Sequence, residues 1–254
     1  MKISVITVTY NCSRVIEDCL ASVAEQTYGD VQHVAIDGAS TDGTLDILQA
    51  HRSQLSVLVS EPDGGIYDAM NKGIAHADGE ILGFLNADDI YVDDSVLQTL
   101  AQCFSDDPRL DACYADLIYV DQFDKSHTVR YWRSSPFVQG SFSCGWCPPH
   151  PTFFVRRSVY ERFGGFDLSY RFAADNELMM RLLEVHKLRV KYVPEVLVKM
   201  RLGGTTNKSW RNVWVQNQEV VRALQSHGLA PNLLHLFTYK LWSRGLQFLR
   251  RPPE

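Results

Sequence analysis

Residues 80–89 read "EILGFLNADD": a short apolar run that passes straight into an amide and two adjacent carboxylates, Asp88 and Asp89. An apolar run of this length, bounded by polar residues, reads as a strand buried on both faces. Working back from it, "IYDAMNKGIAHA" (66–77) reads as a helix, "LSVLVSE" (55–61) as a strand, "TLDILQAH" (44–51) as a helix and "VQHVAID" (31–37) as a strand. "VIEDCLASVAEQ" (15–26) puts Ile16, Leu20 and Val23 on one helical face, and "ISVITVTY" (3–10), rich in β-branched residues and bounded by Asn11, is a further strand. Four strands alternating with helices predict right-handed crossovers and a parallel sheet covered on both faces. The first half is therefore an α/β domain of the nucleotide-binding type.

In such sheets ligands sit at the carboxyl ends of the strands. Those ends are "TYN" (9–11), "DGASTDGT" (37–44), "EPDGG" (61–65) and "NADD" (86–89), and three of the four contain carboxylates. Asp42, ahead of Gly43 and Thr44, has the place of a helix cap. Acids recurring at three strand ends go beyond capping, because like charges a few ångströms apart disfavour ionisation unless a cation compensates. Carboxylate and amide oxygens are hard ligands that suit Mg²⁺ or Mn²⁺, with substrate phosphates completing the shell.

The chain has 254 residues, enough for one large domain with an appendage. Its net charge of -5 offers no general attraction to nucleic acid, so a phosphate-bearing ligand would need a metal or a helix N-terminus. Residues 1–19 lack the pattern of a signal peptide, and no apolar stretch reaches the ~18 to 20 residues of a membrane span. A cytoplasmic protein is expected. The six cysteines, at 12, 19, 103, 113, 144 and 147, read as reduced thiols; "CGWC" (144–147) has redox or zinc spacing but no second pair for a zinc ribbon.

"VITVTYN" (5–11), "IDGASTDGT" (36–44), "EPDGGIYDAMNKGIAHADGE" (61–80) and "FLNADD" (84–89), in this order and spacing, resemble the inverting family 2 glycosyltransferases, especially bacterial enzymes that build surface polysaccharides such as colanic acid. The similarity runs over about residues 3–205. It implies a GT-A type nucleotide-binding α/β/α sandwich with a mostly parallel central sheet, a nucleotide-diphosphate sugar donor, and a glycan or lipid-linked acceptor. Thr7, Thr9 and Tyr10 would line the nucleotide pocket, Asp37 would accept hydrogen bonds from the base, and Asp63, Asn71 and Lys72 would form the second nucleotide segment. Many relatives carry two adjacent acids where Asp37 is followed here by Gly38. The family's Asp-x-Asp triplet corresponds to Asn86, Ala87 and Asp88, making Asp88 the implied ligand of a divalent metal, Mn²⁺ or Mg²⁺, and Asp89 an outer-shell group or a cap.

Further along, "GGFDLSYRFAADNELMMRLLE" (164–184) resembles the segment in which a glycine-rich turn leads to an acid at a helix start, which implies Asp175 as the general base. Ala174 stands where the family often has Glu. "CPPHPTFFVRRSVYERFGGF" (147–166) looks like the acceptor-facing loop, with Trp146 and His150 touching the acceptor, and "KMRLGGTTNK" (199–208) like the segment that closes over the diphosphate, with Arg201 supplying charge and Gly203 and Gly204 flexibility. The QxxRW motif of processive synthases is absent, which implies one sugar per encounter.

The resulting division is a glycosyltransferase domain over 1–209, with a nucleotide-sugar half (1–110) and an acceptor half (111–209), then a helical extension over 210–254. From Val220 to Pro253 there is no Asp or Glu. In "NLLHLFTYKLWSRGLQFLRR" (232–251), Lys240, Arg244, Gln247 and Arg251 share one helical face and Leu234, Phe237, Leu241 and Phe248 another. A basic amphipathic helix of this kind suits peripheral contact with an anionic membrane; packing on the domain or in a dimer is the alternative. A sugar-nucleotide pyrophosphorylase would need a Gly-rich signature where "TVTYNCSRV" (7–15) stands, and a nicotinamide enzyme a G-x-G-x-x-G after the first strand. A carbohydrate-binding or scaffold protein that kept the fold without turnover is the remaining rival, supported by Gly38, Asn86 and Ala174.

Overall fold

The computed structural model describes residues 1–203, 209–249 and 252, without the side chains of 210, 237, 240 and 241. Every residue of β1 (Ile3–Thr9) is buried, because β1 lies inside the sheet with helices over both of its faces. It pairs in parallel with β2 (Val31–Asp37) and β4 (Ile81–Phe84), and β3 (Val57–Ser60) pairs in parallel with β2. The crossovers are α1 (Ile16–Ala24), α2 (Thr44–Ala50) and α3 (Ile66–His76). This register sets Thr9 beside Asp37 and Asp37 beside Ser60, so three strands present one row of polar residues at their carboxyl ends.

The fourth strand is shorter than the apolar run suggested. Leu85 and Ala87 are buried, but the chain turns there, closed by the Asp89 N–H on the Asn86 carbonyl at 2.9 Å, and starts β5 (Asp89–Tyr91). There follow α4 (Val96–Asp106), β6 (Ala112–Val120), β7 (Thr128–Trp132), β8 (Phe154–Arg156), α5 (Arg157–Phe163), α6 (Ala174–Met180), β9 (Val190–Arg201), α7 (Trp210–Ser226) and α8 (Leu233–Leu249). The sheet order is β3-β2-β1-β4-β8-β6-β9-β5, and β7 pairs with the later part of β6, beyond the residues that β8 occupies. It is parallel through the first half; β8 then enters antiparallel between β4 and β6, and β5 antiparallel on β9. Gly83 permits the β4–β8 approach, since a Cβ there would lie 2.1 Å from the Phe154 ring.

Alternation along the strands divides the core into two layers. Ile3 and Val5 face Ile16, Leu20, Leu48 and Leu97 from α1, α2 and α4; Ile6 and Val8 face Met70, Leu178 and Met179 from α3 and α6. Val220, Ala223 and Leu224 of α7 belong to this second layer, so α7 is part of the core. The last helix, α8, lies on β7 and the short turn Ser141–Cys144, with Leu236 buried against the domain. Its faces differ from the amphipathic reading: Gln247 is turned inward while Leu234 and Phe248 are exposed. Leu236 and Gln247 are three turns apart on one side, and docking along that side points the neighbouring apolar residues outward. Gly204, Arg250 and Arg251, and the side chains of Phe237, Lys240 and Leu241, lie outside the described residues. Among the described residues no helix is long and apolar enough to cross a membrane.

Candidate active site

At the carboxyl end of the sheet, Asp37 is fully buried and receives four hydrogen bonds. Oδ1 accepts from Thr9 Oγ1 at 2.9 Å and from Ser40 Oγ; Oδ2 accepts from Ser40 N at 3.0 Å and Ser60 Oγ at 2.6 Å. A carboxylate has about four acceptor positions, so the chain itself saturates this one. Burial pushes its pKa up, but the bonds from Ser40, Ser60 and Thr9 outweigh burial and hold the group below the usual carboxylate range. Asp37 thus organises the loop, with its acceptor positions filled by residues of the same loop and of the neighbouring strands. Thr7 is buried as well, and its hydroxyl sits 3.0 Å from His33 Nε2 between the strands.

The outward groups here are Tyr10, which is 64% exposed, and Asp63. Asn11 adopts a left-handed conformation (φ 53°) and stitches the β1 and β2 loops together, donating its N–H to Ser40 Oγ and accepting from Thr41 N. The Asp63 carboxylate accepts from Gly65 N at 2.8 Å and leans over Gly38, where a Cβ would lie 2.5 Å from Oδ2. The second acid that many relatives carry after Asp37 would need the Asp63 carboxylate, which comes from the β3 loop and occupies that space, to swing aside. Asp42 closes its turn as expected, accepting from Thr44 N and Ser13 N.

Asn71 and Lys72 are committed to the fold. Asn71 accepts from Phe166 N at 2.8 Å and donates to Phe166 O at 2.9 Å, while Lys72 Nζ meets Glu61 Oε1 at 2.8 Å and Pro62 O at 2.9 Å. Lys72 braces the segment that carries Asp63, Asn71 ties α3 to the Phe166 backbone, and both have their polar ends engaged within the protein.

In the turn after β4, Asn86 Nδ2 donates to Asp89 Oδ2 at 3.1 Å. Asn86 Oδ1 and Asp89 Oδ1 are buried without a hydrogen-bond partner. Burial and then the Asp88 charge push the Asp89 carboxyl well above its usual range. Asp88 itself is half-buried and Ala87 is buried beneath it. Asp89 opens β5 and does not cap a helix. The Cys12 thiol is raised first by burial and further by the charges of Asp88, Asp42 and Asp37, which brings the acids from the β2 and β4 ends around one place. Hard oxygens of this kind, two of them buried and unsatisfied, fit a divalent cation. Among the described residues no three His, Cys, Asp or Glu side chains form a metal cage, so such an ion would draw on Asp88, supported by Asn86 and Asp89, and on water and phosphate oxygens. Arg201, at the end of β9, is already paired with Asp18 and with the Gln122 carbonyl, and its charge favours the ionised form of Asp89.

On the other side of β4, Asp175 is the second residue of α6 and half-buried, and Tyr67 Oη donates to its Oδ1 at 3.1 Å. Burial and the Asp175 charge both raise the Tyr67 pKa, so the hydroxyl stays a donor. His150 stacks on Phe84 at 5.4 Å and meets Phe166 edge-on; burial lowers its pKa and the Asp175 charge offsets part of this. Trp146 is 6% exposed, donates from Nε1 to Ser135 Oγ at 3.0 Å, and packs on Tyr114 and Phe142 as part of the wall.

Two residues that sequence reasoning passed over act here. Tyr67 lies inside a motif already singled out, and its place in the first turn of α3 was the available signal. Glu219, on α7, accepts backbone N–H groups just ahead of α6; 44 positions separate it from Asp175 and nothing in the sequence marks the contact.

Residues 4–164 match the family model for glycosyl transferase family 2. A PGL/p-HBAD biosynthesis glycosyltransferase of Mycobacterium bovis (strain BCG / Pasteur 1173P2) is 33% identical over 80% of this chain and 78% of its own length. The O-antigen biosynthesis protein RfbC of Myxococcus xanthus is 29% identical over 89% of this chain, which corresponds to 18% of that larger protein. Among solved structures, S. aureus TarS 1-349 in complex with UDP-GlcNAc superposes with a TM-score of 0.69 at 21% identity, over 92% of this chain and 68% of that one. Mannosyltransferase PcManGT from Pyrobaculum calidifontis, in complex with GDP-Man and Mn²⁺, superposes with a TM-score of 0.66 at 22% identity, over 96% of this chain and 72% of that one.

Proposed function

The chain belongs to glycosyl transferase family 2, and from that premise we propose that it moves one sugar, with inversion and without processive extension, from a nucleoside-diphosphate sugar to a hydroxyl of a glycan or lipid-linked acceptor in surface-polysaccharide assembly. The observation that carries this reading is the Tyr67–Asp175 hydrogen bond, which ties an acid from the acceptor half to the helix that follows the Asp63 loop. The names of the relatives, for PGL/p-HBAD and O-antigen biosynthesis, support the acceptor class, and the nucleotide sugars held by the structural neighbours support the donor class.

Asp175 takes the acceptor proton while the acceptor oxygen bonds to the anomeric carbon from the face opposite the diphosphate. The bond from that carbon to the diphosphate oxygen breaks, and its electron pair leaves with the nucleoside diphosphate. Tyr67 holds Oδ1 of Asp175, so Oδ2 receives the proton. Tyr10 covers the base, Thr9 and Asp37 set the loop beneath it, and Asp63 supplies the acceptor over Gly38. Asp88 would hold Mn²⁺ or Mg²⁺ with Asn86 and Asp89 behind it, and the bound ion supplies positive charge against the leaving diphosphate. A lipid-linked acceptor agrees with a peripheral position on the inner face of the plasma membrane. The outer side of α8 supports this, with Leu234, Trp242, Phe248 and Leu249 exposed beside Arg244.

A panel of sugar nucleotides with Mn²⁺ and candidate lipid-linked glycans, read as released nucleoside diphosphate, tests the reading. Asp175→Asn should cut transfer ~10² to 10⁴-fold with donor binding unchanged, and Asp88→Asn or excess chelator should weaken donor binding and rate together. Wild-type turnover by Asp175→Asn would remove it as the base; no transfer from any donor by the native protein would favour the scaffold reading.

A further inference from the structure

We infer that Glu219 is a positioning residue for the transfer reaction, setting Asp175 through the backbone ahead of α6; the inference rests on Asp175 serving as the base. Its Oε1 accepts from Arg171 N at 2.9 Å, and its Oε2 from Phe172 N at 2.8 Å and Ala173 N at 3.0 Å. These are three consecutive N–H groups, and the helix begins at the next residue with Asp175 second in it. Ala173, at the cap position, has no side-chain acceptor to offer. The carboxylate that fixes the backbone up to and including the cap residue comes from α7.

Glu219 does not act alone on this strap. Gln216 Nε2 donates to Phe172 O at 3.4 Å, Arg222 Nη2 donates to Ser169 O at 2.8 Å with its guanidinium 4.1 Å over the Tyr170 ring, and Ser226 Oγ lies 3.3 Å from Tyr170 Oη. Residues 216, 219, 222 and 226 recur at helical spacing, so one face of α7 grips residues 169–173. On the far side of Asp175, Tyr67 sets its oxygen. The base is thus held between a hydroxyl from α3 and a backbone clamped by α7. Glu219 is buried, and its two oxygens face donors only. An amide there would turn its own NH₂ toward at least one of those N–H groups, so Glu219→Gln weakens the clamp with little change in volume.

Displacing a reacting group by about 1 Å can cost ~10²-fold in rate. Initial rates on the full chain should therefore show kcat falling ~10- to 100-fold in Glu219→Gln with donor KM unchanged. The decisive measurement is a double-mutant cycle with Asp175→Asn. If Glu219 works through Asp175, adding Glu219→Gln to Asp175→Asn causes no further loss. Losses that multiply, a wild-type kcat, or a donor KM that rises in step with the loss of kcat would each overturn the assignment. Full transfer by Asp175→Asn alone would sink the base reading first, and the positioning role with it, so the two failures are told apart. Arg222→Met on the exposed edge of the same grip provides a second route if Glu219→Gln does not fold. It should lower kcat severalfold with donor KM constant and show no added loss over Asp175→Asn; an unchanged kcat, or a loss that multiplies, overturns the proposal.

Discussion

Four donors converge on Asp37 while His33, on the same strand, has burial and one hydroxyl contact around its ring. The two groups respond to acid over different ranges. Asp37 is held below its ordinary value of 3.8, so the stability it contributes is present above that pH and is lost only as pH falls further. His33 is pushed by burial from 6.5 to about 4. Between those values the unfolded chain binds a proton that the folded chain refuses, so stability falls as pH drops from 6.5 toward 4 and is flat above. The drop should be on the order of 3 kcal/mol. Urea midpoints at about pH 7 and about pH 5 should separate in the native protein and draw together in His33→Gln. Equal separation in both would assign the acid sensitivity elsewhere. Motif reading found the polar residues of this region, and the paired register then decided which face inward: Thr7 meets His33, Asp37 is closed by three hydroxyls and a backbone N–H, and Asp63 and Tyr10 are left on the outer side.

Among the elements, α8 separates pattern from placement most clearly. Its period was legible, yet the side that docks is the one carrying Leu236 and Gln247. What faces out is a mixed surface of Leu234, Tyr239, Trp242, Phe248 and Leu249 with Arg244, the composition of a helix that settles at a lipid interface. Full-length protein should pellet with anionic vesicles at low salt, release as salt screens the basic residues, and lose most binding when the chain ends at Leu229. Equal recovery in the supernatant with and without α8 would make that surface a contact between protein molecules instead. The hold of α7 on the approach to α6 differs, because Glu219 makes it through backbone N–H groups that carry no residue identity.

At the scale of the molecule, α7 belongs to the domain although it follows the family-matched span. It buries Val220, Ala223 and Leu224 in the layer shared with α3 and α6. Large buried side chains contribute roughly 1.5 to 3 kcal/mol each, against a total of about 5 to 15 kcal/mol for a typical domain. A chain ending at Gly203 should therefore lose cooperative melting by circular dichroism, while one ending at Leu229 should keep it with a modestly lower Tm. Cooperative unfolding of the shorter chain would show α7 to be dispensable. The sequence by itself determined the alternation of strands and helices, the family, and which loops meet at the strand ends, since burial on both faces forces continuous apolar runs and crossovers force the polar ends to one side. The antiparallel strands that mix the sheet were hidden, because β8 and β5 are three residues long, too short for a period to register. The inward turn of Thr7, Asp37 and Trp146, the seating of Asp63 over Gly38, and the hold of Glu219 on the approach to Asp175 were decided by the tertiary structure alone, because each depends on which distant segment fills the space beside a residue, and no local pattern encodes that.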